Sequence, residues 1–290
     1  MNPVLKAAVW MLGAIASFST MAVAGREVSF ALDTFEIMFF RSAVGVIIVA
    51  FAAIAFGTWR QINREQFSLH FFRNIMHFIG QNLWFYAVTV IPLAQVFALE
   101  FTSPIWVILL SPLILGERIT LVRAVAALMG FLGVLVVTRP DMAGVNAGVT
   151  MAALSAIFFA FTIIFTKRLT RTQSITCILF YLTVLQLGFG LVTAGYDGDI
   201  ALPNTETLPW LVLIGVAGLL AHFCITNALA IAPATVVVPI DFVRLPVIAI
   251  IGMLVYGEAL DLWVLLGAGI IFAGNYLNIW SETRDPTTLK

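Results

Sequence analysis

A chain of 290 residues that is 61% hydrophobic and only 10% charged has too little polar surface to cover a water-soluble globule, because soluble domains carry about 25% charged residues. The formal net charge is zero, so nothing in the composition attracts a nucleic-acid backbone, and the solvent that fits the composition is a lipid bilayer. Cys177 and Cys224 both fall inside apolar runs and read as small buried residues rather than a disulfide framework.

A membrane-spanning helix needs about 20 mostly apolar residues. Ten such segments follow one another, at 4–24, 35–56, 70–91, 94–115, 121–138, 147–166, 175–195, 209–231, 234–256 and 262–280. The first has the outline of a secretion signal, with Lys6, an apolar run and Ala22-Val23-Ala24. The further apolar runs behind it make it a first span instead. Asp33 and Glu36 are a helix-start signal for the second span. That span carries Arg41 about a third of the way in, where it would bind an anionic group or brace Glu100 from a neighbouring helix. Residues 57–66 form a polar loop.

The third span is the most polar. Asn74, His77, Gln81 and Trp84 are spaced by 3, 4 and 3 and share one helical face. Unpaired polar groups are costly in hydrocarbon, so this face must meet water, protein or substrate. We read it as a substrate-lining stripe, against the alternative of hydrogen bonds between helices. Trp84 is the ring expected to stack on a ligand. Arg73 is placed close enough to the interface to snorkel and is given no transport role.

The fourth span carries Glu100, Pro104 and Pro112, and the ninth carries Pro239, Asp241, Arg244 and Pro246. Proline removes an intrahelical hydrogen bond and kinks its helix, and broken helices near the midplane mark binding sites in transporters. Asp241 and Arg244 are three apart and can neutralise each other, whereas the place equivalent to Arg244 in the fourth span is Ser103. Glu100 is therefore the better proton-carrier candidate and Asp241 the better ion-pair candidate. The fifth span holds Ala126, Gly130 and Gly133, and the tenth holds Gly267, Gly269 and Gly274. Such small residues suit tight helix packing, as scaffold or as the face of a homodimer. In the eighth span Gly215, Gly218, His222 and Thr226 form the stripe matching that of the third, and the small residues leave room opposite. Residues 196–209 are the longest loop, and Asn275 and Asn278 in the tenth span are given no role.

One stretch occurs twice. Residues 87–121 and 228–262 superpose with a shift of 141 positions, which brings Pro92 onto Pro233, Glu100 onto Asp241, Phe101 onto Phe242, Gly116-Glu117 onto Gly257-Glu258 and Gly133 onto Gly274. The repeats are 1–141 and 142–290. Five spans per repeat is an odd number, so the second repeat enters from the opposite side. With the N-terminus inside, the inner segments hold Lys6, Arg60, Arg64, Arg118, Arg123, Lys167, Arg168, Arg171, Arg284 and Lys290, and the outer segments hold Arg26 and Arg139. This asymmetry places both termini in the cytoplasm.

Two five-helix halves, Gly-Glu at the exits of the fourth and ninth spans, and Phe39-Phe40-Arg41 early in the second together resemble the EamA type of the drug/metabolite transporter superfamily. Thr34-Phe35-Glu36 through Arg41, and Pro239 through Pro246, resemble a bacterial branch that includes riboflavin carriers and S-adenosylmethionine uptake carriers. The resemblance implies an all-α integral membrane protein of the bacterial inner membrane, with a central cavity lined by helices one to four and six to nine. Glu117 and Glu258 match the family motif but terminate helices, and read as loop anchors.

The function expected is secondary transport, by alternating access, of a small polar, ring-bearing metabolite, vitamin-like or nucleoside-like. The substrate-binding candidates are Asn74, His77, Gln81, Trp84, His222, Thr226, Arg41 and Arg244, with Glu100 and Asp241 as coupling or ion-pair groups. The alternative is an exporter of amino acids, related metabolites or cationic drugs, the last relying on Glu100 as an unpaired acid. No cofactor or metal is called for. No Walker-type G-x-x-x-x-G-K, His-Glu-x-x-His or Gly-x-Ser-x-Gly occurs, which argues against an ATP-driven pump and against an intramembrane enzyme. A Ser103–His77 pair has no motif behind it. A passive channel has no need of two kinked helices.

Overall fold

The computed structural model describes residues 2–91, 93–117, 119–138, 147–196, 198–257 and 262–284. Pro92, Arg118, Arg139, Glu258 and Lys290 lie outside them, as do the side chains of Asn275, Asn278 and Arg284. The described residues form α1 (Pro3–Val28), α2 (Thr34–Ala55), α3 (Phe67–Val90), α4 (Leu93–Glu100), α5 (Ser103–Ile114), α6 (Leu121–Thr138), α7 (Ala147–Leu169), α8 (Ile175–Ala194), α9 (Leu208–Ile231), α10 (Ala234–Ile240), α11 (Arg244–Tyr256) and α12 (Leu262–Arg284). Short 3-10 turns occur at Trp59–Gln61 and Asp241–Val243. Ten spans result, because α4 with α5 and α10 with α11 each make one broken crossing. The chain is a multi-pass membrane protein of ten helices in two inverted repeats.

Helix ends follow local chemistry. At α2, Asp33 Oδ1 accepts the amides of Phe35 and Glu36, each at 2.8 Å, while Glu36 Oε2 accepts that of Asp33 at 2.9 Å. This reciprocal box satisfies donors that would otherwise be left without partners at a helix start. Gly116 and Gly257, the glycines of the two Gly-Glu pairs, have φ of 71° and 66°. The left-handed region they occupy favours glycine and lets the chain turn away from a helix end.

The breaks also have a covalent cause. Pro104 has no amide to give the carbonyl of Glu100, so the ladder stops there and α5 begins with that proline in its first turn. In the ninth span the 3-10 turn at Asp241–Val243 separates α10, which contains Pro239, from α11, which has Pro246 in its first turn.

The main packing pairs are α1 with α9, α3 with α7, α2 with α8, and α6 with α12. In span order these are first with eighth, third with sixth, second with seventh and fifth with tenth. Exchanging the halves converts the first pair into the second and leaves the other two unchanged, so each main contact joins one repeat to the other. The repeat-equivalent rings of Phe101 and Phe242 meet at 5.6 Å on the pseudo-two-fold axis. The small residues of α6 and α12 face each other: a Cβ on Gly133 would lie 2.7 Å from the Gly267 carbonyl oxygen, and one on Gly274 3.0 Å from that of Ala126. Gly130 is closed off by the Phe242 ring. Gly269 faces open space. Cys177 and Cys224 are buried free thiols.

Candidate functional site

A central cavity opens beside the two helix breaks. Its wall comes from α1 (Met11, Phe18, Met21), α3 (Arg73, His77, Gln81, Trp84), the α4–α5 break (Glu100, Phe101, Ser103, Pro104) and α7 (Phe159, Thr162, Ile163, Thr166). It is completed by α9 (His222, Ile225, Leu229) and the α10–α11 break (Val238, Asp241, Arg244). The wall thus draws on the first, third, fourth, sixth, eighth and ninth spans. The resemblance also implied the second and seventh, but α2 and α8 contribute none of these residues. The cavity volume is about 60 Å³, room for roughly four to six waters. A ring-bearing solute does not fit until the walls separate.

Arg244 is the hub of the site. Its Nη2 donates to Glu100 Oε1 and, at 2.8 Å, to Asp241 Oδ2. Its guanidinium carbon lies 5.0–5.2 Å from the ring centroids of Phe18, Phe97 and Phe101, within cation–π range. The repeat-equivalent acids Glu100 and Asp241 therefore share one arginine across the pseudo-axis. This corrects the expectation of Glu100 as an isolated acid. The reach of a long side chain from the other repeat is not visible in the spacing within one helix.

Trp84 is also placed differently from expectation. Its Nε1 donates to Glu100 Oε2 at 2.7 Å, and its ring is packed edge-on against Phe85 and Phe97 at 5.1 and 5.9 Å. Only 1% of it is exposed. A ring so packed positions Glu100 and offers the cavity little free face for stacking.

Next along α3, the ring of His77 meets His222 of α9 edge-on at 4.6 Å between centroids. Both residues line the cavity, and all four of their ring nitrogens are buried without a hydrogen-bond partner among the described residues. Gln81 and His222 are equivalent positions under the 141-residue shift, and both line the cavity.

Arg73 departs most from the sequence expectation. It is 1% exposed, lines the cavity, and donates from Nε to Thr166 Oγ1 at 3.0 Å and from Nη1 to Asn74 Oδ1 at 3.2 Å. It does not snorkel, because α3 begins at Phe67 and Arg73 is already more than a turn inside it. The spacing from Arg73 to His77 is four residues, so extending the polar stripe one step back would have found it.

Three other candidates lie off the cavity wall. Arg41 donates from Nη1 to Gln81 Oε1 at 2.7 Å and approaches Met38 Sδ at 3.6 Å. It neither braces Glu100 nor lines the main cavity, but helps line a smaller recess with Gln186, Thr183 and Gly215. The glycines of α9 make room for α2, since a Cβ on Gly218 would lie 2.6 Å from Arg41 Nε and one on Gly215 2.7 Å from the Val44 side chain. The space they leave is filled by protein and is not open to substrate. Asn74 turns to α8, where Gln186 Nε2 donates to its carbonyl oxygen at 2.8 Å and to its Oδ1 at 3.3 Å. Thr226 is fully buried, one turn beyond His222.

At one face of the bundle, ties join the ends of several helices. Lys167 Nζ donates to the carbonyls of Leu229 and Ala232 at 2.7 and 2.8 Å, at the end of α9. The Glu117 carboxylate accepts the amides of Ala234 and Thr235 and the Thr235 hydroxyl, at 3.0–3.2 Å, at the start of α10. A cation on terminal carbonyls and an anion on terminal amides both satisfy unpaired backbone groups and oppose the helix dipoles. Arg171 adds a bond to the Leu115 carbonyl at 2.6 Å. At the opposite face Glu36 Oε1 accepts the Ala201 amide at 2.6 Å, and Tyr256 donates to Glu27 Oε1 at 3.0 Å. Among the described residues no three His, Cys, Asp or Glu side chains gather as a metal site.

Comparison with known proteins agrees with this architecture. The EamA-like transporter family matches residues 5–139 and again residues 146–280. A riboflavin transporter of Vibrio cholerae is 30% identical over 272 residues, covering 92% of this chain and 90% of that protein. An S-adenosylmethionine uptake transporter of Rickettsia prowazekii is 26% identical over 281 residues, covering 95% and 93%. A riboflavin transporter of Brucella anthropi is 30% identical over 243 residues, covering 82% and 85%. A crystal structure with a TM-score of 0.78 covers 96% of this chain and 98% of its own at 17% identity, which speaks to the fold alone.

Proposed function

The chain belongs to the EamA-like transporter family, and on that premise we propose that it carries a small polar, ring-bearing metabolite across the bacterial inner membrane by alternating access. The relatives named for riboflavin and for S-adenosylmethionine support a vitamin-like or nucleoside-like solute and the uptake direction. The two halves, 1–141 and 142–290, move against each other, and both termini lie in the cytoplasm.

The observation that carries this reading is the position of Arg244. It ties the two helix breaks, one from each repeat, beside a cavity too small for the solute. Opening that cavity requires the α4–α5 and α10–α11 crossings to part. The ties at the two faces, Lys167 and Glu117 at one and Glu36 and Tyr256 at the other, are the contacts that opening to either side would break in turn.

The test is counterflow in proteoliposomes containing the purified chain, with riboflavin, S-adenosylmethionine, amino acids and a quaternary cation as solutes. A carrier accelerates entry of labelled solute when the lumen holds unlabelled solute, and the rate saturates. Flux that rises linearly with concentration and ignores the lumen would show a channel.

A further inference from the structure

We propose, resting on the carrier reading above, that the solute is amphoteric, with an anionic group that binds Arg73 and a cationic group that meets Glu100 and Asp241 at the other end of the cavity. The first ground is the distribution of charge. Arg73, His77, Gln81 and Trp84 line the cavity in succession along α3, and eleven residues of helix span about 16 Å. At the Trp84 end stand two carboxylates and one guanidinium, Glu100, Asp241 and Arg244, and Asp241 Oδ1 is buried without a partner among the described residues. That end is one negative charge in excess.

At the other end stands Arg73, whose hydrogen bonds among the described residues go to the neutral Thr166 hydroxyl and Asn74 amide. Behind Gln81, Arg41, 5% exposed, bonds Gln81 Oε1 and the Met38 sulfur among the described residues. Neither arginine has a carboxylate partner among the described residues. Removing a charge from water without a counter-charge is expensive, and within a membrane such a group marks a solute or ion pathway. Because Arg41 occupies Gln81 Oε1, the amide group of Gln81 is left as a donor. Arg73 thus makes its end of the wall a charged donor, and Gln81, nearer Trp84 on the same helix, adds a neutral donor further along.

Between the two ends lie the four unpartnered ring nitrogens of His77 and His222, which offer both donors and acceptors to a heterocycle. A neutral ring would leave Arg73 without a counter-charge, and so would a simple cation. A simple anion would leave the carboxylate excess unmet. A solute with both charges and a polar ring satisfies the whole wall. S-adenosylmethionine has this character, with a carboxylate, an ammonium and a sulfonium, whereas riboflavin carries no ionised group at neutral pH.

The experiment uses the full chain in proteoliposomes and compares three kinds of probe. S-adenosylmethionine and tryptophan are amphoteric, decarboxylated S-adenosylmethionine and tryptamine lack the anion, and riboflavin and adenosine are neutral rings. The expected result is saturable uptake of an amphoteric probe, with its decarboxylated counterpart half-saturating at about tenfold or higher concentration, as loss of a charge-assisted contact predicts. Arg73→Gln should abolish that difference and Arg73→Lys should preserve much of it. The comparison of probes on the unaltered protein stands even where a variant fails to fold. Saturable uptake of a neutral ring that is the same in Arg73→Gln, or equal half-saturation with and without the carboxylate, would overturn the proposal and leave the carrier reading intact. Absence of saturable uptake for every probe would overturn both.

Discussion

Arg244 serves two acids at once, and the consequences of changing each member differ. Arg244→Met leaves two carboxylates facing each other in a buried site, and stripping a partner from a buried pair costs about 3–5 kcal/mol. Glu100→Gln leaves Arg244 with Asp241 in a balanced pair, and the new amide oxygen can still accept the Trp84 N–H. We therefore expect Arg244→Met to lower the melting temperature in detergent far more than Glu100→Gln, and to reduce the amount inserted in membranes. Equal loss in the two variants would show that the triad is not the unit described here. Trp84→Phe keeps the packed ring but removes the donor to Glu100, and should cost about 1.5–3 kcal/mol, the usual worth of a hydrogen bond to a charged group. At this scale the sequence was a partial guide. The helical spacing put His77, Gln81 and Trp84 on one face, and all three line the cavity, but a side chain's partner in another repeat lies beyond any period. Hence Arg41 ended behind Gln81, Trp84 beneath Glu100, and Arg73 in the wall.

At the scale of elements, what shows in a sequence is that two helices come close, and what stays hidden is which two. The glycines of the fifth and tenth spans signal tight packing wherever they occur, and in the structure Gly133, Gly267 and Gly274 pair α6 with α12. Gly215 and Gly218 carry the same signal, but their neighbours are the Val44 and Arg41 side chains of α2 rather than open space. This distinction is testable. Gly133→Val places side-chain atoms where a Cβ alone would lie 2.7 Å from a backbone oxygen, so α6 and α12 must separate. Overpacking of this kind costs about 1–3 kcal/mol. Gly269→Val, on the same α6–α12 pair but facing open space, should be close to neutral in the same thermal assay. If both variants melt alike, α6 and α12 do not pack as they do here. The broken helices were legible for a different reason: Pro104 and Pro246 are covalent facts, and a missing amide breaks a ladder regardless of surroundings.

For the whole molecule, the inverted repeat explains why each main packing pair joins the two halves, and it follows from the 141-residue correspondence with five spans per copy. The size of the cavity had no such trace, because volume depends on how far the halves have closed and not on which residues line the gap. Orientation in the membrane rests on the lysines and arginines alone, and it decides which face the ties of Lys167 and Glu117 close. Thr58, in the loop between α2 and α3, and Tyr196, 88% exposed beyond the end of α8, belong to opposite faces. Both native cysteines are buried, so background labelling in intact cells should be low. A single cysteine at Thr58 should react with an impermeant maleimide only after the membrane is opened, and one at Tyr196 should react in intact cells. The reverse pattern would turn the protein over and move the Lys167–Glu117 clamp to the outer face, so that the same closed contacts would bar entry rather than release. Labelling of both positions from one side would contradict an odd number of spans between Thr58 and Tyr196, and with it the inverted repeat.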